Sequence, residues 1–226
     1  MYYILSMKYK IYKLSELNNY LINKAISVLI DDLYDVFATI SKDKATLEEL
    51  FKDFLIYDMN YVCLIEGEVA GFIGIGDMTK RPTGKIKLET FEAIFHKRKA
   101  KILYKYIEQN FFKSHITSHR ALEISFLATN MLFNNREVTT QLINFICTNF
   151  SYDYCLLDVL SKNKTDRKLY ETLGFKPIKV SSNWILRLHG LGRTITMYLD
   201  IKERQAKLEQ VRPSWLFKPT AKAVAP

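Results

Sequence analysis

The tightest constraint on this chain lies in residues 154–178. Tyr154–Leu160, YCLLDVL, is a short and nearly continuous apolar run, the pattern of a strand buried on both faces as parallel strands are. A helical stretch over 164–173 comes next and stops at Gly174, a residue suited to the left-handed turn that closes a helix, with Pro177 soon after. A buried strand feeding a glycine-terminated helix belongs to a layered α/β protein.

The rest of the chain supplies the other layers. Residues 8–14, KYKIYKL, alternate polar and apolar side chains like a half-buried strand, and Ser15 offers a cap to the helix after it. From about Asn18 to Ile40, residues such as Leu21, Ile22, Ala25, Ile26, Leu29, Leu33 and Phe37 recur at helical spacing and predict one long helix. Asp43 or Thr46 starts a shorter helix with the stripe Leu47, Leu50, Phe51, Phe54 and Leu55. In residues 61–77 two apolar runs flank Glu66-Gly67-Glu68, where Gly67 can supply a positive φ to a hairpin. Strands are predicted again at 121–129, 176–180 and 194–201, and a helix from about Asn135 to Phe150. The expectation is one domain over 1–201 with a mixed α/β sheet. Residues 79–118 form a basic helical insertion packed over the sheet edge, and 202–226 a tail.

Charge is unevenly spread: −5 over residues 1–79 and +8 over 80–120. Arg98-Lys99-Ala100-Lys101 lie within the apolar rhythm Phe91, Ile94, Phe95, Ile102, Leu103, Tyr106, which describes a helix with a solvated basic face; such a face can also recruit an anionic ligand or partner. No recognised nucleic-acid motif accompanies it, so nucleic acid is not an expected partner. Cys63, Cys147 and Cys155 lie in or beside apolar runs, without a CxxC pair or metal-ligand spacing, and read as buried free thiols with no metal site. The chain has no uninterrupted apolar run of about 18 residues, and its start lacks the signal-peptide pattern. A soluble, cytoplasmic protein with no membrane partner is expected. Trp215, Leu216 and Phe217 are expected to dock on their own domain or on the second subunit of a homodimer.

Two segments carry a family resemblance. LEISFLATNMLFNNREVTTQLI at 122–143 and LDVLSKNKTDRKLYETLGFKPI at 157–178 together resemble the acetyl-CoA-binding half of the GNAT N-acetyltransferase superfamily. In that family a strand phrase like LAV-x-P precedes an Arg/Gln-x-x-Gly-x-Gly/Ala loop that opens a helix. Here Leu127-Ala128-Thr129-Asn130-Met131 take the strand phrase, and Asn134, Asn135, Arg136, Glu137, Val138 and Thr139 take the loop. Glu137 and Thr139 stand at glycine positions. The second segment matches the family phrase N-x-x-A-x-x-LYxxxGF through Asn163, Leu169-Tyr170-Glu171 and Gly174-Phe175, with Asp166 where a small residue is usual. The resemblance covers 8–78 loosely and 121–200 closely. It implies the acyl-CoA N-acyltransferase fold, an α+β layered arrangement with a mostly antiparallel central sheet and flanking helices, with the helical insertion between the third and fourth strands.

It also implies an activity, the transfer of an acetyl group from acetyl-CoA, as co-substrate, to a primary amine. The amides from about Arg136 to Thr140 and the Arg136 side chain would seat the pyrophosphate. Thr139 would add a hydroxyl donor, and Glu137 would have to turn away into solvent or pair with Arg136, Lys162 or a basic residue of the insertion. Backbone groups of Leu127 and Thr129, on either side of Ala128, would pair with the pantetheine arm, and Asn163 would bond it. Tyr170, with an ordinary pKa of about 10, would act as general acid toward the leaving thiolate. Glu123, taken to share a strand face with Ser125 and Leu127, is the candidate base; His115 and His119 flank that strand. Asp31 and Asp35, taken to share a helix face, would favour a cationic acceptor. Gly190 and Gly192 belong to a loop over the acceptor or to a plain turn. The alternative is a GNAT-like module with a degenerate loop and no catalysis, binding a partner through its insertion or tail.

Overall fold

The computed structural model describes residues 9–109 and 116–211. Strands β2 (Asn60–Ile65) and β3 (Glu68–Gly76) meet in a two-residue hairpin in which Glu66 and Gly67 both take positive φ, 53° and 89°. That pair of left-handed residues gives a turn whose twist matches the strands. With β1 (Tyr9–Lys13), β4 (Ala121–Thr129), β5 (Tyr154–Leu160), β6 (Lys176–Ser181) and β7 (Thr194–Asp200) they form one seven-stranded sheet in the order β1-β2-β3-β4-β5-β7-β6. Every neighbouring pair is antiparallel except β4 and β5. This is the mostly antiparallel layered fold expected.

Helices cover both faces. On one lie α1 (Asn19–Asp32), α2 (Tyr34–Phe37) and α3 (Lys44–Phe54); on the other α6 (Asn135–Asn149) and α7 (Lys164–Leu173). Phe37, Phe51 and Phe126 join the first layer to the sheet, with ring centroids 4.5 to 6.2 Å apart. In the second, α6 lies so close to β3 that a Cβ on Gly71 would come within 2.5 Å of Val138 Cγ1. Glycine is needed there for approach rather than for backbone freedom. Cys63, Cys147 and Cys155 are all buried free thiols.

Two expectations need correction. The single helix predicted from Asn18 to Ile40 breaks at Leu33, whose φ and ψ of −100° and 19° are not helical. The break turns Phe37 and Ile40 inward, so burial overrides a periodicity that ran on without interruption. The insertion is not an edge cover, because the edge strands are β1 and β6. The apolar side of α4 (Leu88–Ile94) and α5 (Lys97–Ile107), including Phe91, Ala100 and Leu103, joins the core beneath α1 and α3. Lys97, Arg98, Lys99, Lys101 and Lys105 face solvent. Residues 184–193 hold the short helix α8 (Trp184–Leu188) and then a turn with Gly190 and Gly192 at φ of 72° and 87°.

The first part of the tail is α9 (Ile201–Val211), which lies on α6: Arg204 donates to Asn144 Oδ1 and Gln205 Nε2 to the carbonyl of Cys147. Trp215, Leu216, Phe217 and His115 fall outside the described residues. No helix among the described residues is long and apolar enough to cross a membrane.

Candidate acyl-transfer site

The site starts where two strands part. β4 and β5 pair only from Ala121–Tyr154 to Ile124–Leu157; beyond that β4 stays with β3 and β5 runs on with β7 to Leu160. The β5 side of β4 from Ser125 to Thr129 is thus left without a strand partner, and an open ladder edge can seat an extended chain through backbone hydrogen bonds. At the same place β4 carries a bulge: Gly74 pairs with Phe126 and Ile75 with Ile124, so Ser125 is passed over.

The first turn of α6 faces this opening. Asn134 caps it, its Oδ1 accepting from Glu137 N at 3.4 Å, and Val138 N–H is already bonded to the Asn134 carbonyl. The open amides therefore lie at Asn135 and Arg136, not at Arg136 to Thr140, because the Asn134 cap takes that of Glu137 and the helix ladder starts at Val138. Val138 is fully buried, and Thr140 donates to the Arg136 carbonyl. Thr139 is no extra donor either: it is buried and its hydroxyl goes to Asn135 Oδ1 at 2.9 Å. Glu137 does turn away. Its carboxylate accepts a hydrogen bond from the Tyr9 hydroxyl on β1 at 2.9 Å. Burial, followed by this bond to Glu137, pushes the phenol of Tyr9 up to about 12, so it stays a donor.

Opposite stands α7. Asn163 is its N-cap: its Oδ1 accepts from Asp166 N and its Nδ2 donates to the Asp166 carboxylate at 2.5 Å. One turn on lies Tyr170. The helix ends in a Schellman arrangement, with Gly174 at φ 103°, its N–H bonded to the Glu171 carbonyl and that of Phe175 to the Tyr170 carbonyl. The apolar contact that accompanies such a cap is here Phe175 against Tyr170, centroids 5.9 Å apart. The Gly-Phe pair thus fixes the ring of Tyr170. That residue is only 8 % exposed. Burial first, then Asp166 and Asp32, hold its phenol far above the ordinary value. It stays protonated; the near match to a thiol expected from its ordinary pKa is lost to desolvation.

Asp32, the last residue of α1, reaches across to β4, where Thr129 N–H donates to its Oδ2 at 2.8 Å. The Thr129 amide is therefore held by a side chain, whereas Leu127 packs on the α6 face and Ala128 is buried on the α1 face. Although Asp32 stays exposed as a residue, its carboxyl is raised, chiefly by desolvation against the rest of the cleft and further by Asp166. Between α6 and α7 runs a groove of about 500 Å³ whose lining includes Asn135, Arg136, Lys164, Asp166 and Lys168.

Glu123 is placed differently from its expectation. Because Ser125 is a bulge, Glu123 pairs with Gly76 on the face of Phe126, whereas Leu127 lies on the opposite face. Its carboxylate is held by both terminal nitrogens of Arg81, at 2.6 and 3.3 Å, with side chains 18 % and 9 % exposed. His119 sits exposed in the turn before β4. Asp31 and Asp35 fall on separate helices, and Asp31 is paired with Lys44. Sequence reading had no signal for Tyr9. It had none for the helix-end position of Asp32 either, since the periodicity ran on to Ile40 and hid the end of α1 at which this carboxylate stands.

An opened parallel pair flanked by two helix starts defines the acyl-CoA N-acyltransferase class of fold. No protein-family profile matches the sequence, and no curated protein matches it. Solved structures do. A GNAT-family acetyltransferase from Streptococcus agalactiae 2603 is similar over 85 % of this chain and 95 % of its own, at 14 % identity and a TM-score of 0.54. An N-acetyltransferase from Staphylococcus aureus Mu50 is similar over 84 % and 100 %, at 16 % identity and 0.54. A GNAT-family acetyltransferase from Bacillus cereus ATCC 10987 is similar over 85 % and 97 %, at 11 % identity and 0.51. The chain has the GNAT acetyltransferase fold.

Proposed function

We propose that the protein transfers an acetyl group from acetyl-CoA to a primary amine. The observation that carries this reading is the convergence at the β4–β5 opening of three things: the amides of Asn135 and Arg136, a groove edged by Arg136, Lys164 and Lys168, and the Tyr170 hydroxyl. A pyrophosphate and a 3′-phosphate suit the first two, because anions gain from helix N-termini and from clustered cations. Glu137 fits such a ligand because Tyr9 holds its carboxylate. Acetyl-CoA brings the thioester; the chain orients it along β4, offers Tyr170 as donor beside the sulfur and keeps bulk water from the buried end of the slot.

Isothermal titration with acetyl-CoA, paired with a thiol-release assay over a panel of amines, tests the reading. Binding and amine-dependent thiol release are expected. Absence of binding at millimolar acetyl-CoA would overturn it. A binding module without catalysis is the second reading, favoured by Asp32 filling the Thr129 amide; acetyl-CoA binding with no thiol release from any amine would select it.

A further inference from the structure

One backbone donor on the open edge of β4 is already taken. Asn130 N–H donates to the carbonyl of Ala70 on the β3 side at 2.9 Å, and amides along a strand alternate between its two edges, so Thr129 N–H points to the side that β5 has left. There it meets Asp32 Oδ2 at 2.8 Å. An extended ligand laid along β4 and the Asp32 carboxylate therefore compete for one amide.

The two partners differ in what separation costs them. Thr129 is only 8 % exposed, and a buried N–H without an acceptor is penalised, so its amide needs either the carboxylate or a replacement. Asp32 is exposed as a residue and can turn into water. It ends α1, where the helix dipole disfavours a carboxylate, and the helical backbone stops at Leu33 directly after it. Its neighbour Asp31 is paired with Lys44, whereas Asp32 has no cationic partner among the described residues. An unpaired strand edge is also a template for unwanted pairing, which a charged side chain turned onto the edge suppresses.

We propose that Asp32 is a displaceable cap on the cofactor slot: it holds Thr129 N–H in the free protein, closes the outer end of the open edge, and leaves when the arm of acetyl-CoA supplies a carbonyl acceptor in its place. The proposal rests on the acetyl-transfer reading. One hydrogen bond is exchanged for another, so the ligand gains less from this edge than from a bare one, and the free protein is autoinhibited by the difference. The same contact joins the slot to the α1 layer, so filling the slot releases the end of α1.

Asp32→Ala removes the cap, Asp32→Asn keeps an acceptor for Thr129 N–H without the charge, and Asp31→Ala is the neighbouring control. Acetyl-CoA is titrated into each protein, and exchange of the Thr129 amide is followed by NMR with and without CoA. Expected is a Kd about fivefold lower in Asp32→Ala, a smaller gain in Asp32→Asn and none in Asp31→Ala, as befits removal of one charge-assisted bond. In the free proteins the Thr129 amide should exchange about tenfold faster in Asp32→Ala than in wild type, and saturating CoA should bring the two rates together. A wild type that binds acetyl-CoA while Asp32→Ala binds it equally or more weakly overturns the cap and leaves acetyl transfer standing; weaker binding would make Asp32 a ligand contact. Equal exchange of the Thr129 amide in the two free proteins overturns the cap as well. Acetyl-CoA binding by neither protein overturns both the cap and acetyl transfer. If Asp32→Ala does not fold, Asp32→Asn decides by the same sign at smaller size.

Discussion

The Tyr9 hydroxyl donates to Glu137 Oε2 at 2.9 Å, tying the edge strand β1 to the first turn of α6 across 128 residues of sequence. The bond points the Glu137 carboxylate away from the open amides of Asn135 and Arg136, the proposed phosphate seat. Tyr9→Phe releases it. Acetyl-CoA affinity should then fall about three- to tenfold, as expected for one charge-assisted hydrogen bond. Glu137→Gly should bind at least as well as wild type and should abolish the effect of Tyr9→Phe, a non-additivity that titration of the double variant reads directly.

Arg136, Lys164 and Lys168 line the groove from three exposed positions. Each is expected to contribute a screened interaction of about 0.5–1 kcal/mol with a ligand phosphate. Single alanine variants should raise the Kd of acetyl-CoA two- to fivefold at 0.1 M salt, and the effects should fade at about 1 M, where the screening length is about 3 Å. An effect unchanged by salt would mean that these side chains act by packing.

The Arg81–Glu123 pair predicts a stability defect in place of a pure catalytic one. Both side chains are largely buried, and Arg81 Nε has no partner. Removing the carboxylate strands a buried guanidinium, a change that costs about 3–5 kcal/mol. Glu123→Gln should therefore lower the thermal midpoint by several degrees. A variant as stable as wild type, yet inactive, would return Glu123 to the role of base.

Asp77 supplies a pH prediction. Burial alone would raise its carboxyl, but the Tyr152 hydroxyl at 2.7 Å and the amides of Thr79 and Lys80 outweigh that and hold it down to about 2. A pKa below that of the unfolded chain, about 4, stabilises the fold at every pH above 4, and that stability is lost as pH falls from 4 toward 2. Tyr152→Phe should cost about 1.5 kcal/mol at neutral pH. Denaturation curves of the two proteins should converge on acidification below pH 4.

The element order was legible because it depends on short-range chemistry. Side-chain caps at Asn18, Asp43, Asn134 and Asn163 bond amides two or three residues on, and Gly174 closes α7 through bonds reaching back at most five residues. Periodicity within a dozen residues separated strands from helices, and the spacing from Leu127 to Phe175 carried the resemblance in fold. The break at Leu33 and the bulge at Ser125 were not legible, since neither leaves a glycine or proline behind. The bulge alone moved Glu123 to the other face of β4, because strand alternation has a period of two and one extra residue inverts it.

The amino-acid sequence by itself determined the layers, their order and the turns that present Tyr170 and the start of α6. Tertiary structure decided which charges meet. Tyr9 with Glu137, Asp32 with Thr129 and Arg81 with Glu123 are separated by 128, 97 and 42 residues. Such pairs are set by how two layers pack across a sheet, and no local propensity records that distance.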